Sequence, residues 1–331
     1  METIYTIGID IGGTNTVVGV VDREGSILAR RKFPTSICGE RLTCFIDQIA
    51  IQIESLERQH NLVGRIEGIG IGAPNGNHED GTISFAANMP WKMPFPIVRM
   101  LQERIDLPVA LINDAKAAAV GEMTYGATRG MRDFIIITLG TGVGSGIVAN
   151  GELIFGHDGL AGELGHLIVR RGGRPCGCGR RGCLETYCSA RGMARTAIEL
   201  LQQTTEESPL RYLREEEITS KSVYDAAEDG DPIAQQVFEI TGQILGESLA
   251  DFMTFSSPEA IVLFGGVTAA GDRLLEPIKR SLKENLLCVY KMPKLLFSQL
   301  PSDDAAVLGA AAVGVEEVRR LALRMSRPIN F

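Results

Sequence analysis

No stretch of this sequence stays apolar for the roughly 20 residues that a membrane-spanning helix needs, so nothing in it calls for a bilayer. The opening METIYTIGID lacks a basic segment followed by a cleavage site, and no secretion signal is expected. An excess of positive charge is missing too. Lys and Arg number 33 against 41 Asp and Glu, a formal net charge of −8, which speaks against a general nucleic-acid surface. The one locally basic run, RRGGRPCGCGRR, is read as a solvated face. Neither of the two glycine-rich loops ends in GKS or GKT, and neither opens a helix, which excludes the Walker A loop and the dinucleotide fingerprint. Apolar residues make up 44% and charged residues 22%, so disorder is not expected either. These absences leave a globular chain with an expected cytoplasmic address, long enough at 331 residues for about two domains.

Strands are predicted at 4–11 (IYTIGIDI), 16–22 (TVVGVVD) and 27–33 (ILARRKF), with REGS turning between the last two. From Leu42 onward, Phe45, Ile46, Ile49, Ile53 and Leu56 recur at helical spacing. Strands follow at 66–74 and 108–113, then a helix at 114–123. The pattern then restarts. Residues 133–154 lie over 5–28, so that Gly12 faces Gly140 and Asp10 faces Thr138. PEAIVLFGGV (258–267) echoes the strand at 66–74, and 303–318 echoes the helix at 114–123. The expectation is an α/β chain built from a duplicated βββαβα unit, with an interlobe cleft lined by both glycine loops. The smaller lobe is placed at 1–118, joined by a helix near 303–331, and the larger at 119–302.

The loops DIGGTN (10–15) and LGTGVGSG (139–146) each turn back into a strand. Glycines there let backbone amides approach phosphate oxygens, and Thr14 and Thr141 add hydroxyl donors. Asp10 could hold Mg²⁺ through water or simply hydrogen-bond its turn. Asp114 sits where a strand gives way to a helix. It is either a helix cap or a general base for phosphoryl transfer to an alcohol, and spacing does not decide between them. Asn113 beside it can hydrogen-bond a polyhydroxy substrate.

Seven cysteines are present, three of them in CGCGRRGCLE (176–185). In a reducing compartment such a cluster reads as metal-binding before it reads as disulfides. His166, ten positions before Cys176, is expected to complete a Cys₃His set with Cys176, Cys178 and Cys183, a closed shell for structural zinc, the alternative being free thiols. Cys188 is expected in the core, and Cys38, Cys44 and Cys288 carry no signal. A metal clamping this loop would gather Glu163, His166 and Glu185 around one point, a set suited to sugar hydroxyls. The alternative is that both glutamates are ordinary surface charges.

The motifs DIGGTN, GAPNG, ANMPW, INDAKAAA, LGTGVGSG, AGELGH, CGCGRRGCLE and LFGGV run in order over nearly the whole chain. In these the sequence resembles the repressor, open reading frame, kinase (ROK) family, and within it the glucokinases. The resemblance implies an actin-like ATPase (ribonuclease H-like) fold, ATP and Mg²⁺ as co-substrates, structural zinc, and phosphorylation of a hexose at its 6-hydroxyl. By resemblance Asp114 is the catalytic base, and Asn88, Asn113, Asp114, Glu163, His166 and Glu185 bind the sugar. His166, Cys176, Cys178 and Cys183 are the zinc ligands. Asp10, Gly12, Gly13, Thr14, Asn15, Gly140, Thr141, Gly142, Gly265 and Gly266 surround the nucleotide. The chain departs from the family at Asn15, where lysine is frequent, and at Lys116, where asparagine is. Glucose is the expected substrate. N-acetylmannosamine, N-acetylglucosamine, allose and fructose are alternatives, and a sugar-responsive regulator or a non-kinase ATPase is a distant one. A repressor would carry a DNA-binding segment ahead of the first glycine loop, and that loop starts at residue 10. The resemblance also suggests a homodimer or a dimer of dimers.

Overall fold

Alternating apolar residues at the start of the chain pair into a meander that then grows by parallel strands. The computed structural model describes residues 3–84, 89–301 and 303–326. Strand β1 (Tyr5–Ile11) pairs antiparallel with β2 (Asn15–Asp22), and β2 with β3 (Ile27–Pro34). Helix α1 (Leu42–Gln59) leads to β4 (Ile66–Gly72), parallel to β1. Helix α2 (Ile97–Gln102) leads to β5 (Val109–Ile112), parallel to β4, and α3 (Asp114–Tyr125) follows. The sheet order is β3-β2-β1-β4-β5.

The second sheet repeats this plan. Its meander is β6 (Phe134–Leu139), β7 (Val143–Ala149) and β8 (Glu152–Leu153). Helices α4 (Glu185–Cys188), α5 (Ala190–Gln203), α6 (Ser220–Glu228) and α7 (Pro232–Ser256) lead to β9 (Ala260–Phe264). Helix α8 (Asp272–Asn285) precedes β10 (Lys294–Phe297), and α9 (Ala305–Ser326) follows it. The order β10-β9-β6-β7-β8 is the first order with corresponding strands, read from the other edge. Registers agree as well. Asp10 lies opposite Val17 and Gly72, and Thr138 lies opposite Gly144 and Phe264. The second hairpin is one residue tighter. The Gly12 amide bonds the Asn15 carbonyl at 2.9 Å, whereas the Gly140 amide bonds the Gly142 carbonyl at 3.0 Å. The sequence repeat is therefore a structural duplication.

By internal contacts the chain divides into two compact units. The first comprises Met1–Gly130, Leu153–Ala161 and Gln299–Phe331, and the second Met131–Glu152 and Gly162–Ser298. In the first, the apolar stripe of α1 (Phe45, Ile46, Ile49, Ile53, Leu56) is buried in one cluster with Ile7, Ile9 and Ile71. Each such side chain contributes about 1.5–3 kcal/mol on burial. Helix α9 lies directly on β4: a Cβ at Gly70 would overlap the Ala310 carbonyl, so only glycine permits the approach. In the second unit, α7 buries Thr241, Ile244, Leu245, Leu249, Phe252 and Met253, while Phe255 near its end is exposed. Gly242 and Gly246 of α7 pack against Pro277 and Ser281 of α8.

Cys38 and Cys44 correct an expectation. They carry no sequence signal, yet they form a disulfide with Cα atoms 5.9 Å apart. Consecutive turns after β3 fold the chain back toward α1. The amides of Ile37, Gly39 and Arg41 donate to the carbonyls of Pro34, Ser36 and Cys38, which brings the two thiols together. No helix among the described residues is long and apolar enough to cross a membrane.

Candidate functional site

In the first unit, the strand-to-helix junction shows that Asp114 is not the helix cap. The cap of α3 is Asn113, whose side-chain oxygen accepts the amides of Ala115 at 2.9 Å and Lys116 at 3.1 Å. Asp114 is thereby the first helical residue, and its Oδ1 also accepts the Ala115 amide at 2.8 Å. Its carboxylate is open to solvent though closely surrounded by protein atoms. That crowding raises its pKa, against the opposing pull of the Ala115 amide. Capping occupies the Asn113 oxygen and leaves its amide nitrogen as the group to donate to a ligand.

Asp10, near the end of β1, is pushed up to about 6, first by burial and second by the charge of Asp114. Its counterpart Thr138 bonds its own turn, accepting the Gly144 amide at 3.0 Å. Among the described residues no hydrogen bond reaches the Asp10 carboxylate. A half-buried carboxylate of this kind fits a hard cation held through water. In the same unit Gly12, Gly13, Thr14 and Asn15 form the β1–β2 turn. Asn88 lies outside the described residues.

Sequence reasoning marked Lys116 only as a departure from the family. The structure shows it buried, with Nζ donating to the Gly159 carbonyl at 2.6 Å and lying 5.8 Å from the Phe155 ring centre. Asn77 donates to the Asp158 carbonyl at 3.2 Å, and His78 stacks on Phe155 at 4.2 Å. Three side chains thus fasten the segment that precedes AGELGH.

The second unit holds the remaining predicted residues. Glu163 and His166 share one helical turn pressed against β7. The Leu164 amide donates to Ser145 Oγ at 3.1 Å, Ser145 Oγ donates in turn to the Gly162 carbonyl, and a Cβ at Gly165 would overlap the Val143 carbonyl. Cys176 and Cys178 sit on a small hairpin closed by the Pro175–Arg181 bridge, with Gly179 at φ +86, and Cys183 follows it in a bridge to Ile168. The ligand atoms of His166, Cys176, Cys178 and Cys183 all lie within 4.8 Å of one another. His166 Nδ1 is 3.6 Å from Cys176 Sγ, and the sulfurs of Cys178 and Cys183 are 3.7 Å apart. A tetrahedral shell with Zn–S bonds of about 2.3 Å has S···S edges of about 3.8 Å. The residues present therefore fit zinc.

Glu185, the first residue of α4, reaches the same place: Oε1 lies 2.9 Å from Cys176 Sγ and 3.7 Å from His166 Nδ1. Its other oxygen would lie 2.9 Å from a Cβ at Gly142, so the glycine brings the second glycine loop against this carboxylate. Arg174, within the run read as a solvated face, is instead buried. It binds Glu199 at 2.6 Å, the carbonyls of Thr186 and Gly192, and Thr196 Oγ1. It knits the cysteine hairpin to α5.

Thr141 is exposed at the tip of the second loop. Gly265, at φ +106, abuts the Leu139 carbonyl, so the loop after β9 closes on the end of β6. Beside Gly266 lies a cavity of about 160 Å³ lined also by Met193, Lys221, Tyr224, Phe238 and Val267. Sequence reasoning named Gly265 and Gly266 and did not name these apolar walls. They come from α5, α6 and α7, where they look like ordinary helix-face residues.

The sequence pattern of the ROK family matches residues 6–317. The chain is 38% identical to the glucokinase of Halalkalibacterium halodurans over 301 residues, 89% of this chain and 88% of that protein. It is 36% identical to the glucokinase of Streptomyces coelicolor, covering 94% and 98%. Among solved structures it is similar to a ROK family glucokinase from Streptomyces griseus in complex with glucose and AMPPNP. That similarity has a TM-score of 0.76 and 35% identity, covering 94% of this chain and 99% of that one.

Proposed function

The chain belongs to the ROK family, and we infer that it is an ATP-dependent kinase that converts glucose to glucose 6-phosphate. The observation that carries the reading is likeness to curated glucokinases over nearly the full length of both partners. The fold is the actin-like ATPase fold of that family.

Asp114 is the general base. With Asn113 capping α3, its carboxylate is available to take the proton of the sugar 6-hydroxyl, and its raised pKa strengthens it as a base. Glu163, His166 and Glu185, with Asn113 and Asn88, recognise the other sugar hydroxyls. His166 presents Nδ1 to the cysteines, which leaves Nε2 on the far side of the ring for the sugar. The amides of Gly13 and Thr14 in the first loop and of Thr141 and Gly142 in the second bind phosphate oxygens, and the Gly265–Gly266 loop and its apolar cavity take the nucleoside.

His166, Cys176, Cys178 and Cys183 would hold zinc, which supplies no transfer chemistry and fixes the shape of the sugar loop. Asp10 would hold Mg²⁺ through water, and the ion supplies charge neutralisation at the phosphoryl oxygens. We carry the cytoplasmic address and the homodimer, or dimer of dimers, as part of this proposal. Partners are limited to the small-molecule substrates, with neither nucleic acid nor membrane among them. Phosphorus NMR of the product made from glucose and ATP·Mg²⁺ tests the reaction directly. A phosphate coupled to the C6 protons supports it. ATP hydrolysis to free phosphate without any sugar ester would contradict it.

A further inference from the structure

Thr35 follows β3 and is completely buried, yet its polar atoms are spent on the first glycine loop. Its hydroxyl donates to the Gly12 carbonyl at 2.6 Å, and its amide donates to the Thr14 carbonyl at 3.0 Å. Thr16 Oγ1, also buried, lies 2.9 Å from Thr35 Oγ1. A hydroxyl has one proton to give. With that of Thr35 committed to Gly12, Thr16 is the donor to Thr35, and the three groups form a relay from Thr16 through Thr35 to Gly12. Successive bonds of this kind polarise one another.

The consequence follows from peptide geometry. The carbonyl of Gly12 and the amide of Gly13 belong to one planar trans unit and point in opposite directions. Fixing the carbonyl toward the protein interior turns the Gly13 amide outward. Fixing the Thr14 carbonyl as well holds the returning limb of the loop. The second repeat fixes the equivalent carbonyl by another means: Gly140 accepts the backbone amide of Ala190, at the start of α5, at 2.8 Å. Both copies of the duplicated unit thus pin the same loop carbonyl. Only the first uses a side chain for it.

We propose that Thr35 is a positioning residue for phosphoryl transfer, which through the Gly12 carbonyl aims the Gly13 amide at a phosphate oxygen of the nucleotide. It touches no substrate itself. The proposal rests on the reading of this loop as a nucleotide contact.

The test compares Thr35→Val, which keeps the shape and removes the hydroxyl, with Thr35→Ser, which restores it. Thr35→Val is expected to lower kcat/KM for ATP roughly tenfold, with KM for glucose unchanged, and Thr35→Ser to recover most of the loss. A lower melting temperature with wild-type kcat/KM for ATP would make Thr35 merely structural and overturn the proposal. If Thr35→Val does not fold, Thr16→Val removes only the relay's first donor. A rise in KM for ATP of roughly twofold to threefold is then expected, and no rise overturns the proposal. Calorimetry with a non-hydrolysable ATP analogue separates this test from the kinase assignment. A wild-type protein that binds the analogue but phosphorylates no sugar would overturn the proposed function. Equal analogue affinity in wild type and Thr35→Val would overturn the role of Thr35.

Discussion

Nδ1 of His166 lies 3.6 Å from Sγ of Cys176, so one imidazole nitrogen is committed to the cysteine cluster. With the other nitrogen given to the sugar, as proposed, metal content and sugar affinity become a single property. Metal analysis of the purified protein is expected to give about one zinc per chain. Cys178→Ser should lose the zinc and weaken glucose binding together. Glucose affinity that survives loss of the metal would show that the cluster does not shape the sugar loop.

Asp114→Asn keeps the shape of the side chain and removes its basicity. Turnover is expected to fall by about 10²–10⁴-fold, while the glucose dissociation constant changes little. The cap of α3 comes from Asn113, so the helix should survive the substitution and the melting temperature should hold. Near-normal turnover in this variant would remove Asp114 from the role of base.

The proposed role of Asp10 as the Mg²⁺ carboxylate makes activity depend on pH. Burial and the charge of Asp114 raise its pKa from 3.8 to about 6, so between these values the folded chain holds a proton that the unfolded chain has released. The resulting stability is fully present below 3.8 and is lost as pH rises through about 6. Cation binding needs the carboxylate. The Mg²⁺ concentration for half-maximal activity should therefore climb as pH falls below about 6. Asp10→Asn should lose activity and flatten that dependence. A half-saturation that is constant between about pH 5 and pH 7 would contradict the assignment.

Cysteine counting checks the disulfide. Of seven cysteines, five are free and the pair Cys38–Cys44 is bonded. Mass spectrometry after alkylation under denaturing, metal-free, non-reducing conditions should find five labels, and seven after reduction. Seven labels without reduction would show that the pair is a dithiol in the isolated protein.

The strands, both glycine hairpins and the duplication were legible because each has a local signature: alternation for the strands, a Gly/Thr turn for the hairpins, and repetition for the whole. The Cys₃His set was legible because all four ligands lie within one short stretch of chain. Asp114 was legible only in part. Cap and base look alike in sequence, and the structure removes only the first by giving the α3 cap to Asn113. What escaped depends on distant or featureless contacts. The union of Cys38 and Cys44 is set by backbone turns. The hold of Lys116 on Gly159 spans 43 residues. The cavity walls at Met193, Tyr224 and Phe238 come from three separate helices.

The most direct measurement is ATP consumption by the purified protein with Mg²⁺, across glucose, mannose, fructose, allose, N-acetylglucosamine and N-acetylmannosamine, with a sugar-free control. The account predicts rapid turnover on glucose, weak turnover on the acetylated sugars and almost none without sugar. Turnover that is independent of sugar, or absent with every sugar, would contradict it.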